Sequence, residues 1–111
     1  MKKYIQVVTT TDQKESAEKL ANYVVEKQLA ACVQISTCLS VYRWQGKIEN
    51  AEEYHCTMKS RADLYPELEK AIRKIHNYEV PEIIATEISN GGSDYFEWLE
   101  TELRTANIKG N

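Results

Sequence analysis

The sequence predicts an α+β domain: a four-stranded antiparallel sheet, two helices on one face, and one further helix after the last strand. Three observations lead there. Short β-branched segments alternate with apolar stripes at helical spacing, in the order β-α-β-β-α-β-α. Two long strand-like segments flank Gln45-Gly46, a two-residue turn, and pair in a register that gathers apolar residues on one side. The chain has 111 residues, 42% of them hydrophobic and 28% charged, which suits one domain burying about two-thirds of its surface.

Tyr4 to Thr9 is short and β-branched, a strand. Asp12 and Glu15 have capping-box spacing, and Ala17, Leu20, Ala21 and Val24 form the buried stripe of a helix ending near Gln28. Ala30 to Trp44 and Lys47 to Ser60 are the arms of a hairpin. With Trp44 opposite Lys47, Val33 faces Met58, Ile35 faces Cys56 and Thr37 faces Tyr54 on one side of the sheet. The other side pairs Cys32 with Lys59, Gln34 with Thr57, Ser36 with His55 and Tyr42 with Glu49. A slip of one residue would mix the two sets. Ser60 or Asp63 is placed to cap the next helix, Pro66 falls in its first turn, and Leu64, Leu68, Ala71, Ile72 and Ile75 are its stripe. His76 to Pro81 is a connector and Ile83 to Ile88 a strand. Ser93 or Asp94 caps a last helix marked by Phe96, Leu99 and Leu103, with Tyr95 and Trp98 on a neighbouring stripe. The first six elements match the ferredoxin-like βαββαβ order, with the C-terminal helix as an addition. Ile108 to Asn111 reads as a loose tail.

The hairpin outgrows this fold. Arms of about 14 residues reach roughly 45 Å, more than twice the first strand. The tip, Leu39 to Glu52, therefore projects and carries Leu39, Val41, Tyr42, Trp44 and Ile48 with it. A bare two-stranded ribbon is marginal in water, and the sheet face opposite the two helices is uncovered in this topology. Copies of the chain packing on that face and pairing their ribbons resolve both, so a homo-oligomer is expected.

Composition removes several function classes. The net charge is −3 with the signs mixed along the chain, so no basic face for nucleic acid is expected. No apolar run approaches the roughly 18 residues of a membrane span, and Met1-Lys2-Lys3-Tyr4 opens no secretory signal, so the cytoplasm is the expected home. Three Cys without a C-x-x-C pair imply reduced thiols. The third strand lacks the basic, Gly-containing pattern of RNA-recognition modules, and Thr9-Thr10-Thr11-Asp12 lacks the Arg of acylphosphatase-type loops. No nucleophile–base pair is discernible, and an enzyme is not expected.

Leu29-Ala30-Ala31-Cys32-Val33, Tyr42-Arg43-Trp44-Gln45-Gly46-Lys47-Ile48-Glu49 and His76-Asn77-Tyr78-Glu79-Val80-Pro81-Glu82-Ile83 resemble the CutA family, as do Tyr95 and Trp98-Leu99. The resemblance spans nearly the whole chain in order and spacing. It implies a ferredoxin-like homotrimer with PII-like architecture, a role in divalent-cation tolerance, and an association with copper or another divalent metal. Two positions depart from the family pattern. Asn77 stands where Pro is frequent, so the rigidity a proline would lend is missing. Val8 stands where some members have Cys, so no site using that thiol forms here.

His76 follows a helix C-terminus, where the macrodipole favours a protonated ring. With Glu82 and Cys32 it forms the candidate metal set, since imidazole, carboxylate and thiolate suit copper or zinc. Tyr42, Trp44, Tyr78 and Trp98 are candidate walls of a cleft between subunits, with Lys47, Glu49, Lys59 and Glu79 as its polar groups. His55 is expected as a polar interface residue. The alternative function is a PII-like regulator binding a small anionic effector through Lys47, Lys59 and Arg43, and contacting a partner protein.

Overall fold

The computed structural model describes residues 3–106, so the expected tail at Ile108 to Asn111 lies outside the described residues. The chain runs β1 (Tyr4–Thr11), α1 (Lys14–Glu26), β2 (Cys32–Trp44), β3 (Lys47–Arg61), a 3₁₀ turn (Ala62–Leu64), α2 (Tyr65–Ile75), β4 (Ile83–Ile88) and α3 (Ser93–Glu102). The sheet order is β2-β3-β1-β4 with every pairing antiparallel, the ferredoxin-like arrangement that the element order predicts.

The hairpin register is the expected one from Trp44–Lys47 down to Cys32–Lys59. Gln45 and Gly46 have φ of 49° and 79°, the left-handed pair of a two-residue turn whose twist matches its strands. The core lies between the sheet and α1/α2. Ile5, Val7, Cys56 and Met58 meet Leu20, Val24, Leu68 and Ile72, all buried.

None of the expected capping side chains caps a helix. β1 and β3 run further than the periodicity implied, whereas β2 starts two residues later, at Cys32, and tertiary partners claim the capping groups. β1 continues to Thr11, α1 begins after Gln13 without a side-chain cap, and Asp12 instead accepts a hydrogen bond from Asn77. β3 continues to Arg61, which leaves Ser60 inside the core donating to the Leu29 carbonyl at 2.6 Å. Asp63 pairs with Arg61, and Leu64 opens α2 with Pro66 in its first turn, where it was expected. At α3 the N-cap is Gly92, while Asp94 accepts from the Tyr95 amide.

The far face of the sheet is less bare than expected, because α3 covers one end of it. Phe96 stacks on Tyr4 with ring centroids 4.7 Å apart, and the Tyr4 hydroxyl donates to Glu100 at 2.8 Å. Arg61, only 4% exposed, ties β3 to α3 by donating to Glu100 and to the Arg104 carbonyl. Leu99 and Leu103 are buried, whereas Tyr95 and Trp98 stand exposed as a tilted pair 5.7 Å apart.

β1 ends at Thr11 opposite Tyr54. Beyond that point β2 and β3 pair only with each other, from Cys38–Glu53 to Trp44–Lys47. The ribbon is thus about 23 Å long at 3.3 Å per residue. Leu39, Val41, Trp44 and Ile48 are 67%, 60%, 56% and 63% exposed on it.

Candidate functional site

The connector from α2 to β4, residues 76–82, straps across the end of β1 and leans on the base of the ribbon. His76 anchors it. The ring Nε2 lies 2.8 Å from the Thr10 carbonyl oxygen and 3.1 Å from Thr9 Oγ1, while Nδ1 lies 3.0 Å from the Tyr78 amide nitrogen. A carbonyl only accepts and a backbone N–H only donates, so Nε2 carries the hydrogen and Nδ1 is bare. Burial pushes the His76 pKa below the usual histidine value, partly countered by the Thr10 carbonyl and by the charges of Asp12 and Glu53. This corrects the expectation of a protonated ring: the Tyr78 amide donates to a bare Nδ1, which a protonated ring would not offer.

Asn77 does the work of the missing proline by other means. Its side chain accepts from Thr11 Oγ1 at 2.6 Å and donates to Asp12 Oδ1 at 2.8 Å, which pins the strap to the end of β1. Tyr78 then reaches over the sheet, and its hydroxyl donates to Glu53 Oε2 at 2.6 Å. Burial first, and the Glu53 carboxylate second, raise the Tyr78 pKa far above the ordinary phenol, so the hydroxyl stays protonated and serves as a donor.

Between strap and ribbon lies a cleft of about 740 Å³. Tyr42 and Trp44 form its ribbon wall, Tyr78, Glu79, Val80 and Glu82 its strap wall, and Glu53 and Thr10 line it from the sheet. Five of the expected site residues, Tyr42, Trp44, Tyr78, Glu79 and Glu82, therefore meet within a single chain. The other expected cleft residues do not line it. Lys47 and Glu49 sit on the ribbon outside it, Lys59 donates to Gln34 at 3.0 Å, and Trp98 lies on α3 beside Tyr95. Glu53 was not anticipated. Its signal was its parity: it shares the face of Glu49 and Lys47 and lies where β1 runs out.

The candidate metal set is not assembled within one chain. Cys32 pairs with Lys59, and Lys59 with Gln6, which is about 13 Å along β1 from the Thr10 that holds His76. Both His76 nitrogens are already committed, and Glu82 belongs to the cleft. Among the described residues no group of three or more His, Cys, Asp or Glu side chains is placed to hold a metal ion. The thiols differ in setting: Cys56 is buried, and desolvation raises its pKa to about 11, while Cys32 and Cys38 are partly exposed. His55 lies on the sheet face away from α1 and α2, its Nδ1 3.4 Å from Thr57 Oγ1. Among the described residues no helix is long and apolar enough to cross a membrane.

Known proteins carry the same pattern. The family described as CutA1 divalent ion tolerance protein matches residues 5–102. "Protein CutA, chloroplastic" of Arabidopsis thaliana is 40% identical over 101 residues, covering 90% of this chain and 56% of that protein. "Divalent-cation tolerance protein CutA" of Pyrococcus horikoshii is 37% identical over 98 residues, covering 88% of this chain and 96% of that one. The fold is similar to a crystal structure of CutA1 from Pyrococcus horikoshii at a TM-score of 0.88 and 36% identity, across 91% of this chain and 99% of that one. The match spans strap, ribbon and core together, and on that ground the chain belongs to the CutA1 divalent ion tolerance family.

Proposed function

We propose that this protein serves divalent-cation tolerance by binding rather than by catalysis, as a cytoplasmic homotrimer. The observation that carries the assembly is the ribbon. Four large apolar side chains stand more than half exposed on two strands that have no third strand beside them. Such a surface calls for a partner, and a second copy offers the same apolar ribbon in return. The printed names of the relatives support the link to divalent cations.

Copper or another divalent metal is the cation in this reading. His76, Cys32 and Glu82 of one chain do not fit it together, so its ligands come from more than one copy. An anionic effector of the PII type is disfavoured by the three carboxylates lining the cleft and by the engagement of Lys59 with Gln34.

Light scattering at micromolar concentration is expected to give about three chain masses; a single chain mass refutes the assembly. Copper titration by calorimetry is expected to give the same affinity for the native protein and His76→Ala. A clear loss of affinity in that variant would place the metal on His76 after all.

A further inference from the structure

Asn90-Gly91 is the only Asn-Gly pair in the sequence, and it lies in the turn between β4 and α3. Both residues are exposed. The turn follows Ile88, which pairs with Tyr4 at the end of the sheet opposite the ribbon on which the proposed assembly rests. Among the described residues neither the Asn90 side chain nor the Gly91 amide has a hydrogen-bond partner. Packing demands glycine at 91. A Cβ there would lie 2.5 Å from Phe96 Cζ and 2.9 Å from Cε1. The Phe96 ring is not free to swing aside, because it stacks on Tyr4 with centroids 4.7 Å apart. The glycine that lets Phe96 cover the end of the sheet therefore leaves the amide nitrogen after Asn90 without a side chain to shield it.

That amide nitrogen, once deprotonated, can close a five-membered ring on Asn90 Cγ. A bond forms from the Gly91 nitrogen to Cγ, the bond from Cγ to the side-chain nitrogen breaks, and ammonia leaves. Water then opens the succinimide at either carbonyl. One opening gives aspartate; the other gives isoaspartate, with the main chain rerouted through Cβ and Cγ. Three other asparagines are held and are followed by residues with side chains. Asn22 donates to the Glu18 carbonyl, Asn50 is paired with Val41 in the ribbon, and Asn77 is tied to Thr11 and Asp12. We propose that Asn90 is a site of spontaneous deamidation, and that its isoaspartate product loosens α3 from the sheet. Isoaspartate adds a main-chain atom just ahead of Gly91, beneath the Phe96 ring, and of Gly92, whose carbonyl accepts from the Phe96 amide at 3.0 Å. The aspartate product keeps the backbone and brings its charge toward the N-terminal end of α3, which tolerates it. The inference goes beyond the tolerance reading and needs neither a metal nor a second copy.

The test is ageing of the purified protein in warm, mildly alkaline buffer, followed by peptide mass spectrometry. Isoaspartate is counted by methyl transfer from a protein isoaspartyl methyltransferase. Conversion at Asn90 is expected at least tenfold faster than at Asn22, Asn50 or Asn77. Hydrogen exchange of the α3 amides is expected to be at least tenfold faster in the isoaspartate fraction, with β1 and β3 unchanged. Asn90→Gln closes the corresponding larger ring far more slowly and is expected to keep its α3 protection through the same ageing. Freshly purified Asn90→Asp carries the charge on an unaltered backbone and is expected to keep it too. Conversion at Asn90 no faster than at the other three, α3 exchange unchanged by conversion, or equal loosening in aged Asn90→Gln each overturns the proposal. A loosened α3 in fresh Asn90→Asp overturns the backbone route. None of these outcomes bears on the tolerance reading, which rests on the ribbon and the family.

Discussion

His76 is held in one tautomer by backbone groups on both sides, the Thr10 carbonyl at Nε2 and the Tyr78 amide at Nδ1. Protonation would put a hydrogen on Nδ1 against the Tyr78 N–H, so the strap and the neutral ring depend on each other. Burial depresses the folded pKa below the unfolded value of about 6.5. The folded state therefore binds the proton less readily. The stability this contributes is complete above about pH 6.5 and is lost as pH falls through the depressed folded value. Thermal melts should show the native protein losing more stability between pH 7 and pH 5 than His76→Gln, which keeps a donor and an acceptor but cannot titrate. Parallel losses would refute the link. Residues of this site were legible in the sequence in proportion to how local their signals are. Tyr78, Glu79 and Glu82 share one short segment, and Tyr42 and Trp44 follow from alternation along a strand. Glu53 and the bracing role of Asn77 were not legible, because each depends on where β1 stops relative to its neighbours.

At the level of elements, Arg61 decides how α3 meets the sheet. Its guanidinium serves Asp63, Glu100 and the Arg104 carbonyl at once, from a position almost wholly buried. A lysine ammonium is a point donor and lacks the planar fork that spans three partners. Arg61→Lys is expected to cost about 1–3 kcal/mol in urea unfolding. A change under about 0.5 kcal/mol would mean that α3 docks through Leu99, Leu103 and the Tyr4–Phe96 stack alone. The order of elements and the hairpin register were readable because each rests on a repeat, period 3.6 or period 2, that tertiary structure preserved. The helix caps were not. Asp12, Ser60 and Asp63 have the chemistry of caps, but longer strands carried them to other partners, and periodicity does not say where a strand ends.

The whole molecule is drawn out along its ribbon. Its radius of gyration is 14.9 Å, against about 13 Å for a compact chain of this length. Leu39 and Ile48 lie on the ribbon more than 60% exposed, so replacing both with Glu disturbs little within one chain. Leu39→Glu/Ile48→Glu is expected to keep the circular dichroism of the native protein while its mass in solution falls to that of one chain. An unchanged mass would show that assembly does not use the ribbon. β2 is one of the two edge strands of the sheet and pairs on one side only, along all thirteen of its residues. Backbone donors and acceptors on its other side are the same in every copy, so their pairing obeys a rule of geometry rather than of affinity. Head-to-tail docking at the right angle returns to its starting point after a few subunits and terminates; at any other angle it adds subunits without end and yields a fibre. Copies that paired along this edge would close into a ring or run on as a filament according to the angle at which they dock.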